Sequence, residues 1–375
     1  MKIRYICLLL GMLALTPSLQ AQITCTGPGC AFLPISQSTL DQMYYDLKTQ
    51  YMDKLFEDMA AASALANASG PPAGTVNLSG WTLGASVGAG YLPLKKVTVP
   101  ITGYGEIKDM PRAGAAVNPR LFFGCNLGWL FNNPYDPFDT DASQSAPFFL
   151  SPAKFDVYVS FIEDRRTFDS GDQGHIIVNT RNRGFDVRYH LVEGKPLAAG
   201  PLLRFLGVSV GAGYHTSLLD LNATQTKGQK LKLNAASGTS MIWDGAVLAS
   251  MRSELKTIPI EVMTGMQFLY FLNFTFGGGM AYNKGGVDFN ITRVGPVYLS
   301  GDSAALLAAA AGQSVTSSAY TSYLTMALNG SGKVPKNLAY GKLGIDINLL
   351  WLKVFVEGMY AKRAYGANLG VRFQM

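Results

Sequence analysis

The chain predicts an all-β transmembrane fold: an antiparallel up-and-down barrel of about 14 strands, roughly 12 to 16, with an N-terminal amphipathic helix as plug or periplasmic cap. Three observations lead there. The last nine residues alternate without a break, with Ala367, Leu369, Val371, Phe373 and Met375 on one face and Asn368, Gly370, Arg372 and Gln374 on the other. Only 15% of the 375 residues are charged, 41 are glycine, and mean hydropathy is positive. Even so, no apolar run beyond the first residues reaches the roughly 18 needed for a membrane helix, so the hydrophobicity is spread in alternation.

Residues 1–21 are expected to be a secretory leader. Lys2 and Arg4 precede an apolar core from Tyr5 to Leu15, and Pro17, Ser18 and Ala21 suit cleavage after Ala21. Removing Lys2 and Arg4 lowers the formal net charge from +6 by two, too mild a balance for a nucleic-acid partner. In an oxidising compartment Cys25 and Cys30, which enclose Thr-Gly-Pro-Gly, are expected to form a disulfide, and Cys125 lies on the apolar face of a strand.

Residues 22–77 form the expected plug or periplasmic segment. Leu40, Met43, Tyr44, Leu47, Tyr51, Leu55, Met59, Ala62 and Leu65 recur every three or four residues, which predicts one helix from Ser38 to about Asn67. Gly70-Pro-Pro-Ala-Gly74 ends it.

Residues 78–375 form the expected barrel. Strands are read at approximately 78–91, 97–107, 116–131, 152–163, 175–180, 184–192, 202–215, 240–250, 255–266, 269–282, 286–293, 337–350, 352–362 and 366–375. Leu83-Gly-Ala-Ser-Val-Gly-Ala-Gly-Tyr91 returns at Leu206 to Tyr214 with one change, marking a recurrent strand type. If the first strand runs outward, the longest connections, including the one after residue 131, fall on the extracellular side and the C-terminus on the periplasmic side. Periodicity does not say which wall faces inward, because a soluble sandwich buries the apolar wall and a membrane barrel exposes it.

On the polar wall the candidate lumen-lining residues are Lys154, Asp156, Asp186, Arg188, Lys342 and Asp346. Their mixed signs argue against a strongly ion-selective pore. Inner-face glycines are expected to bend strands or leave room for a plug. His215-Thr-Ser217 puts a His and a Ser on one strand face without the further polar residue a lipid-modifying site needs, so no enzyme is expected. Asp136, Asp139 and Asp141 lie in an oxygen-rich loop without EF-hand spacing; neither a metal nor a cofactor is expected. Residues 301–332 read as a long outer loop with one or two short helices.

Asn368-x-Gly370-x-x-Phe373-x-Met375 resembles the C-terminal assembly signal of outer-membrane barrels. The helix-then-strands order resembles the plugged fatty-acid and hydrophobic-compound channels of the outer membrane, without their N-terminal Asn-Pro-Ala motif. Cys25-Thr-Gly-Pro-Gly-Cys30 followed by the helix is similar to the start of leptospiral surface-adhesin outer-membrane proteins. These resemblances imply an outer-membrane location, with outer-membrane lipid and the barrel-assembly machinery as partners. Passive transport of a small or hydrophobic solute, gated by the helix, is the leading expectation. Adhesion to a host surface or matrix protein through outer loops is second, and lipid-modifying catalysis a distant third.

Overall fold

The structure is a computed structural model that describes residues 23–27, 37–70, 78, 80–102, 105–131, 151–169, 171, 174–197, 202–225, 231–234, 240–300 and 322–375. The expected leader, Cys30, the Asp136–Asp141 loop and residues 301–321 lie outside the described residues. In chain order the elements begin with β1 (Ile23–Thr26), then α1 (Gln37–Leu47), a π-helical turn (Lys48–Met52) and α2 (Asp53–Ala68). Next come β2 (Trp81–Ile101), β3 (Gly105–Asn126), the short α3 (Leu127–Leu130), β4 (Phe155–Asp169), β5 (His175–Val192), β6 (Lys195–Pro196) and β7 (Leu203–Gln225). The chain continues through β8 (Leu231–Asn234), β9 (Ser240–Trp243), β10 (Ala246–Phe268), β11 (Leu272–Ser300), β12 (Ser322–Lys333), β13 (Asn337–Leu349), β14 (Leu352–Ala361) and β15 (Ala364–Gln374).

All strand pairs are antiparallel and belong to one sheet. The sheet closes through β2, β3, β4, β5, β7, β10, β11, β13, β14 and β15, a ring of ten, because β11 pairs with both β10 and β13 and β15 pairs with β2. The expectation of about 14 strands fits the sheet as a whole, whereas the ring has fewer members because several expected strands are halves of one. Residues 175–192 run unbroken, as do 246–268 and 272–300. Pro93 and the lysines after it suggest a turn, but β2 carries them through bulges where the register shifts between Leu92 and Lys95. Proline is tolerated in a strand at such irregularities. β2 therefore ends at Ile101, and β3, which begins at Gly105, runs back toward the Met375 end. The connection that follows residue 131 leaves the barrel at the Met375 end, whereas the sequence expectation puts that connection and the C-terminus on opposite sides.

Residues 322–333 are a strand, not part of a long loop. β12 and β13 both pair with β11, interrupted at Val334–Lys336, where Gly285 adopts φ +126°. β1 pairs with β12, so the N-terminal segment contributes a strand as well as the helix.

The wall assignment decides the class. On β15 Leu369, Val371 and Phe373 are exposed while Asn368 and Arg372 are buried, and the same inversion holds on β13, where Leu343, Ile345 and Ile347 face out and Lys342 and Asp346 face in. A water-soluble protein would not expose this much contiguous apolar surface, but a hydrocarbon bilayer covers it. β14 and β15, at 10 and 11 residues, match the roughly 9–11 residues that cross a membrane once. Tyr91, Tyr365, Tyr360, Tyr282, Tyr214 and Phe185 form an exposed aromatic row at the far end of this belt, joined by direct cross-strand pairs such as Tyr91–Tyr365 and Phe185–Tyr214. Aromatic girdles of this kind sit at the membrane interface. β7, β10 and β11, at 23, 23 and 29 residues, continue past it as a collar with polar outer faces. The chain is an outer-membrane-type β-barrel.

Candidate functional site: the plugged lumen

The helix expected over about Ser38–Asn67 is present from Gln37 to Ala68, and it lies inside the ring. Its heptad-like apolar stripe narrows to alanine at Ala60, Ala62, Ala64, Ala66 and Ala68, all essentially inaccessible. Small side chains let the backbone approach the wall, and the wall is cut to receive it. A Cβ at Gly90 would collide with the Ala62 carbonyl, one at Gly114 with the Asp58 carbonyl, and one at Gly332 with Phe56. These glycines occur where a helix crosses the strands closely, which is the positional use of strand glycine.

Polar pins fix the height of the helix. Asp46 accepts from Thr102 N at 2.9 Å, Asp53 from Ser331 N at 3.0 Å, and Asp58 forms a two-point pair with Arg112 at 2.5 and 2.8 Å. Thr102 follows the far end of β2, so α1 starts at the far rim and α2 descends toward the Met375 end. Tyr51 packs on Val99 and Ile101 and donates its hydroxyl to Pro111 O. α1 and the π-helical turn thus cover the upper part of β2 beyond Leu92, where the shorter β14–β15 hairpin no longer reaches. The Thr102 N–H holds the Asp46 carboxyl below the usual carboxylate range.

At its lower end the helix exposes carbonyls that have no intrahelical partner. Arg120 donates to Asn67 O at 2.6 Å, His215 Nδ1 lies 2.8 Å from the same oxygen, and Asn368 donates to Ser69 O and Gly70 O at 3.1 and 3.2 Å. The Asn67 side chain donates to Thr257 at 2.8 Å and accepts from Asn118 at 2.9 Å. A guanidinium placed against a helix C-terminus also meets the negative end of the helix dipole.

Beneath this contact an ionic network crosses the bore. Glu261 on β10 pairs with Arg188 on β5 and with Lys342 on β13, the latter at 2.6 Å. Arg372 reaches Asp346 at 3.3 Å, His190 reaches Asp156 at 2.8 Å, and His215 Nε2 reaches Asp186 at 2.8 Å. Asp156 also accepts from Leu78 N at 3.2 Å and from Asn126 at 2.8 Å. A cavity of about 10 Å³ between Ala68, Tyr158, Asp186, Arg188 and Glu261 has room for about one water.

Five of the six sequence-proposed lumen residues, Asp156, Asp186, Arg188, Lys342 and Asp346, meet in this network. Lys154 stands apart, in a 3-10 turn before β4, 3.8 Å from Glu193. The lumen candidates left out His190 and Arg372, although both lie on the polar faces of their strands, together with Glu261, Arg120 and the helix's own Asp46, Asp53, Asp58 and Asn67. The strand residues among them share the parity of the inner face. The helix residues carried no such signal, because a polar residue on an amphipathic helix reads as solvent-facing. His215 is a carbonyl and carboxylate partner deep in the bore, with Ser217 next on the same strand face. Of the proposed assembly-signal residues, Asn368 points inward to the helix end, Gly370 faces Phe355 and the Ala85 carbonyl, and Phe373 and Met375 point outward. Trp81 and Met375 exchange two backbone bonds, 3.0 and 3.1 Å, where the ring closes. Cys25 is disulfide-bonded. Cys125 is a free thiol, half-buried on the outward face.

No curated protein matches this chain. Among solved structures it is similar to a Pseudomonas aeruginosa FadL homologue, at 10% identity over 86% of this chain and 98% of that one, with a TM-score of 0.25. It is similar to the Neisseria meningitidis autotransporter NalP translocator domain at 8% identity, 80% and 90% coverage and TM-score 0.24. It is also similar to the Ralstonia pickettii toluene transporter TbuX at 9% identity, 85% and 99% coverage and TM-score 0.22. TM-scores this low carry no argument, and the fold rests on the ring and its inverted walls. A sequence profile described as Lsa36-like matches residues 18–375, nearly the whole length, and the chain belongs to that Lsa36-like family.

Proposed function

We propose that this protein is an outer-membrane channel for small solutes, with α1 and α2 as a removable plug. The observation that carries the reading is the fit between a separate helical segment and a glycine-cut, polar-pinned wall. The fitted wall is one that the ring of strands does not need for its own closure. Withdrawal of the helix vacates a path about as wide as a helix with its side chains, roughly 10 Å. The upper part of that path is apolar, lined by Leu92, Leu255, Val287, Leu338 and Met359, and the lower part is the ionic network. Solutes with an apolar body and a polar end suit such a path, and the mixed charges below favour neither ion sign. Catalysis has no part in this reading.

Proteoliposomes loaded with a fluorescent reporter test it. Asn67→Ala combined with Asp58→Ala removes pins at two heights and is expected to raise small-solute flux severalfold over wild type. Equal, negligible flux from correctly folded wild type and variant sinks the channel reading. Surface adhesion is the second reading, favoured by the polar collar beyond the aromatic row. Its test is binding of matrix proteins by whole cells, lost when residues 301–321 are trimmed.

A further inference from the structure

One pleat beyond the aromatic row the outer wall carries an arrangement that the barrel itself does not explain. Lys256 on β10 and Lys284 on β11 are direct cross-strand partners, both exposed, two residues above the paired Ile258 and Tyr282. Directly opposed like charges destabilise an antiparallel pair unless something neutralises them. Lys333, opposite Gly286, and Lys336, in the interruption between β12 and β13, add two further exposed ammonium groups on the neighbouring strand. The acids nearest the patch, Glu254 and Asp288, lie farther from the membrane and are answered by Arg252, 3.1 Å from Glu254 and cross-strand to Asp288. Gly285 and Gly286 leave no side chain over the space between, and the result is a depression of about 270 Å³ lined by Lys256, Lys284 and Arg252 together with Glu254 and Asp288. Its floor depends on the left-handed backbone at Gly285, where a Cβ would strike the Glu254 carbonyl.

We infer that this depression binds the phosphate-bearing head group of an outer-leaflet lipid, with Lys256 and Lys284 as the direct phosphate partners and Lys333 and Lys336 flanking it. Position and charge together select that occupant. The patch sits on the outward-facing wall two residues beyond Ile258 and Tyr282, where an aromatic girdle places the head-group layer. Lysine ammonium groups serve as point-charge partners for phosphate.

Native mass spectrometry of the full-length protein, folded in detergent and mixed with phosphorylated lipid A or with the same lipid stripped of phosphate, tests the assignment. Wild type is expected to bind the phosphorylated form at least tenfold more tightly, and Lys256→Gln/Lys284→Gln to lose that preference. Arg165→Gln/Arg166→Gln, an equal charge change higher on β4, is expected to keep it. Retained preference in the lysine double variant overturns the site, as does equal binding of the stripped lipid. Displacement of lipid A by equimolar inorganic phosphate overturns the lipid as occupant. Should the glutamine variant fail to fold, Lys256→Arg/Lys284→Arg keeps the charge and must keep the binding, and loss there also contradicts the assignment.

Discussion

Gly90 and Asn67 act at opposite ends of the same contact. Gly90 lets the Ala62 backbone lie against β2, and Asn67 ties the last helical turn to Thr257, Asn118 and Arg120. Gly90→Val forces side-chain volume into a packed approach, an overpacking that typically costs about 1–3 kcal/mol. Its urea midpoint in micelles is expected to fall, while Gly358→Ala, whose added Cβ would meet its nearest atom only at 3.8 Å, leaves the midpoint in place. Asn67→Ala strands the buried Asn118 amide and removes the bond to Thr257, while Arg120 keeps the backbone carbonyl, and it is expected to cost about 1–3 kcal/mol by the same measurement. Both inner-face charge and inner-face glycine were legible from strand parity. Gly90 and Lys342 each fall on the polar side of an alternation visible in the sequence. Asn67 was not legible, because its partners come from β3 and β10 and only the folded ring brings them to one point.

The helix and the closing strand are the two elements on which the assembly depends. Asp46 pins α1 to the far rim as a carboxylate, and the Thr102 N–H lowers its pKa. A carboxyl depressed on docking stabilises the docked state above its free pKa of about 3.9 and loses that contribution as pH falls through the lower docked value. Limited proteolysis within α1 is therefore expected to accelerate when pH drops below about 4, and Asp46→Asn to be protease-sensitive already at neutral pH. In β15 each residue serves one wall: Phe373 faces lipid, and Arg372 reaches Asp346 inside. Deleting residues 366–375 removes β2's partner and leaves open edges that a bilayer cannot satisfy. Heat-modifiable migration on gels is expected to disappear for that deletion and to diminish for Phe373→Asp. The helix's limits were readable from its 3.6-residue period. The joints between strands were not, since Pro93 and Gly285 punctuate the sequence as turns do, but Pro93 sits in a bulge of β2 and Gly285 within an unbroken β11.

At the scale of the whole molecule, three zones stack along one axis. A belt the height of β14 and β15 faces lipid, a collar of longer strands rises beyond the tyrosines, and the helix enters from the collar and ends over an ionic floor. The inverted walls make the molecule stable only in a membrane, and the plug gives the ring an interior that is filled without being continuous with it. Long strands account for the number of ring members, and for the position of the 131–151 connection at the Met375 end. Turn-like residues within strands concealed both features in the sequence. Single-channel recording of the full chain and of a chain lacking residues 37–70, both verified as folded by heat-modifiable migration, tests the plugged lumen most directly. Wild type is expected to be closed with rare openings, and the deletion to show steady open conductance. A folded deletion protein that stays closed, or a wild type already open at the same conductance, would contradict the account.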